Sequence, residues 1–401
     1  INMSKLTALQ KEALLRGINK IPVNLIKKKI DNLELTLDEC IEHGLDLSKV
    51  EEIQTIKIQQ EEIKEKLAED KEFYDRINND EIIIQEIQRA LNDGRVTEEG
   101  LMNNTEINDD LLRRIKSYKK QFHPSENNDV PLVDGTDIFF FGKSKSGKSC
   151  VLASIFNYAE VEGLFIDNPV SINGINYKNV IVRELQNGIL PDSTEATEDA
   201  VTYITTELHK DGEVNPLNFI EMSGEFFSKA AENPDEWDKS IDAHGYLSNS
   251  NKKLLFFIVD YQMYSEGEDT SGATQSQDFN LILSQLDNYE KALKNTNCIY
   301  IIVNKSDKFP PNVTDKDKFA KEFFMNNFRA VYTNLKAKQD KYNFELRSFD
   351  FSVGNFVFNN SYLKEMNYEC PRSVLNSIAK QSRRNSKKGW LGSMFSNNDE
   401  I

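Results

Sequence analysis

The feature that most constrains this 401-residue chain is one short stretch: Asp137-Ile-Phe-Phe-Phe-Gly142-Lys143-Ser144-Lys145-Ser146-Gly147-Lys148-Ser149-Cys150, followed by Val151-Leu-Ala-Ser-Ile-Phe-Asn. An apolar run of strand formers stops at a glycine. A loop, Gly-Lys-Ser and a helix-forming segment follow. The spacing GxxxxGK[ST] between a strand and a helix is that of a phosphate-binding loop. Gly142 and Gly147 let the loop curl until its backbone N–H groups face phosphate oxygens, so Gly142 through Cys150 are expected nucleotide contacts. Lys148 is placed to reach the β- and γ-phosphates and to act on them. The Ser149 hydroxyl is placed to ligate Mg2+, and the helix that begins there adds its positive end.

From this loop onward strands alternate with helices. The expected strands are Asp137–Phe141, Asn179–Glu184, Val201–His209, Leu217–Met222, Lys253–Asp260, Cys298–Val303 and Glu345–Ser352. The expected helices are Ser149–Tyr158, Gly224–Ala231, Asp278–Lys294, Lys316–Lys338 and Pro371–Ser382. Such alternation predicts an α/β fold, a mainly parallel sheet with helices on both faces and its ligand at the carboxyl ends of the strands.

Residues 4 to about 122 read as helix throughout. Apolar residues recur at helical spacing, as in Ile53, Ile56, Ile58, Ile63 and Leu67, among dense charges and few breakers. Ile30-Asp-Asn-Leu-Glu-Leu-Thr36-Leu-Asp-Glu39-Cys-Ile resembles Leu91-Asn-Asp-Gly-Arg-Val-Thr97-Glu-Glu99-Gly-Leu-Met. Each copy reads as helix, turn, threonine N-cap and short helix, with Glu39 in the capping-box position. Two copies suggest a duplicated helical module that binds proteins; two ordinary capped helices alike by coincidence are the alternative. The expected plan is an all-α domain over 1–122, a turn-rich linker over 123–134 with Pro124 and Pro131, an α/β domain over 135–380 and a basic, aromatic tail over 381–401.

The composition narrows the function classes. The four cysteines, Cys40, Cys150, Cys298 and Cys370, are not paired as CxxC, which favours a reducing cytoplasm over a disulfide frame or a zinc site. No run of eighteen apolar residues is present, and the opening residues lack a charged-then-apolar leader pattern, so a cytoplasmic protein is expected. A net charge of -16 disfavours general nucleic-acid binding. The tail, with Arg383, Arg384, Lys387 and Lys388 beside Trp390, Leu391, Met394 and Phe395, suits weak contact with an anionic membrane surface, or docking on its own domain or a partner. The histidines, His43, His123, His209 and His244, show no metal-ligand spacing.

A second motif names the base. The apolar strand Cys298–Val303 ends in Asn304-Lys305-Ser306-Asp307, which resembles the base-recognition motif [N/T]KxD of P-loop GTPases. A carboxylate at Asp307 can accept two hydrogen bonds from guanine, whereas adenine would leave it unpaired. The Lys305 stem can lie over the base, and Asn304 can tie the base edge to the phosphate loop. Leu217-Asn-Phe-Ile-Glu221-Met-Ser-Gly224-Glu225 resembles that family's strand ending in DxxG, with Glu in place of Asp. The resemblance implies a metal-facing role for Glu221, a γ-phosphate contact at Gly224 and a water-orienting position at Glu225, where many members have Gln. It also implies a second metal hydroxyl from the loop Asn187–Thr197, with Thr194 first and Ser193 and Thr197 as alternates. Leu254-Leu-Phe-Phe-Ile-Val-Asp260-Tyr261 is similar to the following apolar strand of such GTPases, or to a Walker B strand of an ATPase with Asp260 on the metal. Ser352-Val353-Gly354 stands where members carry the Ser-Ala-Lys loop under the base.

In order and spacing, residues 135–380 resemble a Ras-like P-loop GTPase of the translation-factor class, and within it the bacterial double-GTPase conflict-system proteins. The resemblance implies GTP/GDP and Mg2+ as ligands and a protein partner for the helical domain. Glu221 and Glu225 imply slow hydrolysis; a non-hydrolysing GTP-binding scaffold and a P-loop ATPase are the alternatives. Lys145 stands where potassium-dependent relatives carry Asn, so its ammonium could supply catalytic charge in cis. Lys143, five residues before Lys148, matches the signature lysine of MinD-type ATPases, although Lys-Gly-Gly is absent. Solvated phosphate-attracting charges are the plainer reading of both.

Overall fold

A computed structural model describes residues 8–32, 34–118, 133–191, 201–222, 227–228, 233, 241–267, 274–288 and 290–383. The chain forms two compact units, Ile1–Ile82 with Arg89–Leu112, and Ile83–Gln88 with Arg113–Ile401.

Among the described residues seven α-helices come first: α1 (Ala8–Arg16), α2 (Val23–Asp31), α3 (Leu37–Glu42), α4 (Leu47–Asn78), α5 (Ile84–Asn92), α6 (Glu98–Asn104) and α7 (Asp109–Ser117). Thr36 caps α3 by accepting from Glu39 N, and Glu39 accepts in return from Thr36 N. Sixty-one residues on, Thr97 caps α6 by accepting from Gly100 N. The turns before the caps are built alike. Glu34 N and Leu35 N donate to Lys29 O at 2.9 and 3.2 Å, and Arg95 N and Val96 N donate to Ala90 O at the same distances. Ile26, Leu35, Cys40, Leu45, Val50 and Ile53 are buried, and so are their counterparts Ile87, Val96, Leu101, Ile107, Leu112 and Ile115. Among the described residues burial along α4 is confined to its ends: Ile53, Phe73, Tyr74 and Ile77 are buried, whereas Ile58 and Leu67 between them are 56% and 64% exposed.

The α/β unit is built on a seven-stranded sheet ordered β2-β3-β4-β1-β5-β6-β7. The strands are β1 (Thr136–Phe141), β2 (Phe165–Asp167), β3 (Val201–Lys210), β4 (Glu213–Met222), β5 (Lys252–Asp260), β6 (Thr296–Asn304) and β7 (Glu345–Phe351). β4, β1, β5, β6 and β7 run parallel. β3 lies antiparallel to β4, and β2 antiparallel to β3. A separate hairpin pairs β8 (Gly354–Val357) with β9 (Tyr362–Met366).

Period-2 alternation sends each strand's side chains to two cores, as burial on both faces requires. Phe139, Phe141, Leu255, Phe257, Ile299 and Ile301 join one core, with the helices Gln275–Asn288, Lys316–Asn327 and Arg329–Tyr342. Ile138, Phe140, Leu254, Phe256, Cys298 and Tyr300 join the other, with α8 (Lys148–Val161), α9 (Ile172–Gln186) and the helix Glu369–Ser382.

One expected strand is a helix. Asn179–Glu184 lies inside α9, where Gly174, Lys178, Ile181, Val182 and Leu185 are buried at spacings of three and four. The β-branched run Val180-Ile-Val182 looks strand-like alone, but the long-range period is helical and tertiary packing decides. The expected helix Lys316–Lys338 is two helices meeting at Phe328, and the expected helix Asp278–Lys294 starts earlier, at Gln275, and is helical over Gln275–Asn288 and Glu290–Lys294. Short β2 and the β8–β9 hairpin were not expected. Most of the expected helix Gly224–Ala231, most of the linker and nearly all of the tail lie outside the described residues.

Candidate functional site

The parallel strands end side by side, so whatever follows β4, β1, β5, β6 and β7 shares one edge of the sheet. β1 delivers the loop Gly142–Gly147, and α8 starts at Lys148 with Gly147 as its N-cap. Gly147 has φ +84°, and a Cβ there would stand 2.3 Å from Asn304 Nδ2. At Gly142 a Cβ would stand 2.8 Å from Ser146 Oγ and 3.0 Å from Ile258 O. Both glycines therefore permit close approaches. Lys145 at the loop's tip also has positive φ, +64°, and is exposed.

Lys148 is buried and folds back over the loop, donating from Nζ to Gly142 O at 2.7 Å and to Lys143 O at 2.9 Å. Burial pushes its ammonium down to about 8, partly opposed by the Glu221 carboxylate. Cys150 beside it is pushed up to about 12, chiefly by burial, so its thiol stays protonated. Lys143 Nζ stands 4.0 Å from buried Asp278 Oδ2 on the helix Gln275–Asn288.

At the end of β4 the Glu221 carboxylate is 3% exposed. Ser149 Oγ donates to its Oε1 at 2.5 Å, and Tyr177 Oη, from α9, donates to its Oε2 at 2.7 Å. Burial and Glu221 together hold the Tyr177 phenol well above its ordinary range, so it remains a donor. Among the described residues no group of three His, Cys, Asp or Glu is arranged to hold a metal.

On the other side of β1, Asp260 ends β5. Its Oδ2 pairs with Lys305 Nζ at 2.7 Å, its Oδ1 accepts from Met263 N, and Gln275 Oε1 accepts from its N–H at 2.8 Å. β6 ends at Asn304, whose Nδ2 donates to Ser146 O at 2.9 Å across 158 positions of sequence. Lys305 takes the left-handed conformation, φ +63°, and starts a 3-10 turn, Ser306–Lys308. Asp307 accepts from Ser352 Oγ at 3.3 Å and lies 3.7 Å from Lys308 Nζ. Ser306 Oγ donates to Asp350 Oδ2 at 2.7 Å, tying the turn to the end of β7.

These pieces enclose a cavity of about 350 Å³. Of the residues nominated from sequence, Ser144, Lys145, Gly147, Lys148, Ser149, Cys150, Asn304, Lys305, Asp307 and Val353 line it. Gly142, Lys143, Ser146, Ser352 and Glu221 do not, but each bonds to a residue that does. Thr194, its alternates Ser193 and Thr197, and Gly224 and Glu225 lie outside the described residues. Leu190, Pro191, Gln262, Lys308, Phe356 and Asn360 also line the cavity and were not nominated; nor was Tyr177. Pro191 and Leu190 were within reach, since they begin the loop expected to carry the second metal hydroxyl. Phe356 and Asn360 depend on the unforeseen β8–β9 hairpin.

The Double-GTPase 2 family model matches residues 138–345. No curated protein matches the chain. Among solved structures, the signal recognition particle receptor SRb-GTP/SRX complex from Chaetomium thermophilum is similar at 12% identity and TM-score 0.34, covering 56% of this chain and 93% of that one. A putative nucleolar GTP-binding protein 1 from Plasmodium falciparum is similar at 14% identity and TM-score 0.27, covering 62% and 90%. The family match runs from β1 to the start of β7 and so takes in the phosphate loop, the carboxylate end of β4 and the turn after β6. With more than half of its residues inside that match, the chain belongs to the Double-GTPase 2 family, and guanine-nucleotide binding follows from that membership.

Proposed function

We propose that the chain is a guanine-nucleotide switch that binds GTP and GDP with Mg2+, hydrolyses GTP slowly and passes its nucleotide state to a protein partner through its N-terminal helices. The observation that carries this is the convergence of Lys148 and Ser149 with Asn304, Lys305 and Asp307 on one cavity. In this reading the loop amides and Lys148 bind the phosphates. Phosphate contact replaces the two carbonyls on which Lys148 now rests and favours its charged form. Asp307 faces the guanine ring N–H and exocyclic amine, with Ser352 holding its other side. Asp260 steers Lys305 toward the base.

The residues fit Mg2+ on one structural ground. The Ser149 hydroxyl donates its hydrogen bond to Glu221, which turns the Oγ lone pairs outward for a cation. Ser149 would ligate the ion directly and Glu221 would accept from its bound water. Mg2+ supplies charge neutralisation at the phosphate oxygens when bound. Thr194, Gly224, Glu225 and Lys145 stay in the reading as the second hydroxyl, the γ-phosphate contact, the water-orienting carboxylate and an in-cis charge. Glu221 and Glu225, in place of Asp and Gln, support slow rather than fast hydrolysis. The duplicated helical module supports a protein partner.

Competition of GTP, GDP and ATP for a bound fluorescent GDP analogue tests the base assignment. Asp307→Ala should weaken GDP by about a hundredfold, the loss of two hydrogen bonds to a charged group, and leave ATP where it was. An unchanged guanine preference in that variant refutes the assignment.

A further inference from the structure

We propose that Tyr177 is a positioning residue for the cation site, holding the Glu221 carboxylate in the orientation that serves Ser149. The inference rests on the Mg2+-nucleotide reading above and adds a residue to it. Glu221 has one more rotatable bond than the aspartate of the DxxG pattern, so an unsupported carboxylate there could turn away from the phosphate loop. Two donors fix it. Ser149 holds Oε1 at 2.5 Å and Tyr177 holds Oε2 at 2.7 Å. With both oxygens engaged from different elements, the carboxylate plane is determined.

Tyr177 can do this because α9 is itself fixed. Gly174, one turn before it, lets the helix approach β3 so closely that a Cβ there would stand 1.8 Å from Tyr203 O. Lys178, next in sequence and buried, pairs with Asp167 of β2 and Glu160 of α8, each at 2.8 Å. The neighbours of Tyr177 thus lock the helix against the sheet on one side and α8 on the other. The phenol is delivered to Glu221 by a rigid element, as a preorganised site requires.

The test titrates Mg2+ into nucleotide-stripped, EDTA-treated full-length protein and reads the affinity of a fluorescent GDP analogue. Wild type should gain affinity with Mg2+. Tyr177→Phe removes one hydrogen bond to a carboxylate and should raise the Mg2+ midpoint about tenfold, with affinity in EDTA unchanged. Glu221→Gln should raise the midpoint at least as far and make the Phe substitution silent when the two are combined. An unchanged midpoint in Tyr177→Phe, an equal loss in EDTA, additive effects of the two substitutions, or a Phe variant that does not fold would each overturn the role. A wild type indifferent to Mg2+ would overturn the metal reading as well, which separates the two failures.

Discussion

The hydrogen bond from Asn304 to Ser146 joins the base-facing turn to the phosphate loop, and Gly147 is the residue that makes room for it. A Cβ at Gly147 would meet only two atoms within 4 Å, Asn304 Nδ2 at 2.3 Å and Cγ at 3.6 Å. Gly147→Ala therefore carries two separable costs. One is the left-handed backbone at φ +84°, about 1–2 kcal/mol for a residue with a Cβ. The other is displacement of the Asn304 amide, which leaves the Ser146 carbonyl without its buried donor, about 1–3 kcal/mol. Asn304→Ala carries the second cost alone. In the double variant the amide is already gone, the added methyl meets open space, and only the backbone cost is added. The double variant should be about as unstable as Gly147→Ala alone, giving a coupling of about 1–3 kcal/mol in the double-mutant cycle. Urea unfolding of the ligand-free protein, followed by circular dichroism and tyrosine fluorescence through the transition of the α/β unit, measures it. Additivity within about 0.5 kcal/mol would refute the reasoning, because it would mean that Gly147 and Asn304 do not share the space between them.

Lys148, at about 8 in the ligand-free protein, should make nucleotide binding pH-dependent. Below that value it is already charged, and above it binding must restore a proton, so GDP affinity should fall about tenfold between pH 7 and pH 9; a flat profile in fluorescent-GDP titrations would contradict the buried, carbonyl-bound lysine. Thr36→Ala and Thr97→Ala each remove an N-cap acceptor from equivalent turns, so each should cost the helical unit about 1 kcal/mol in denaturant unfolding and leave GDP affinity unchanged; a large difference between the two would argue against equivalent copies.

What was legible in the sequence was what is local. The phosphate loop is nine consecutive residues whose chemistry follows from two glycines, a lysine and a serine. The base turn is four residues at the end of an apolar strand. The alternation of buried side chains in β1, β5 and β6 was equally plain. The misread segment was Asn179–Glu184, where Val180-Ile-Val182 satisfies a strand over six residues and a helix only over the fifteen of α9. That error hid more than a secondary-structure label. Read as a strand, the segment gives no reason to bring Tyr177 to Glu221, 44 positions away; as a helix anchored by Gly174 and Lys178, it does. Asp278 beside Lys143 is invisible for the same reason, since that contact is made by the sheet order and not by the chain.

Glu221 shows what this does to a reading by motif. Alone in the sequence it is a flaw in a DxxG pattern, a carboxylate one methylene too long. In the fold its buried carboxylate accepts from Ser149 on one oxygen and from a tyrosine on the other. The longer stem carries Oε2 to Tyr177 of α9. The departure from the pattern and the tyrosine that answers it are two halves of one arrangement, so neither can be weighed for function without the other.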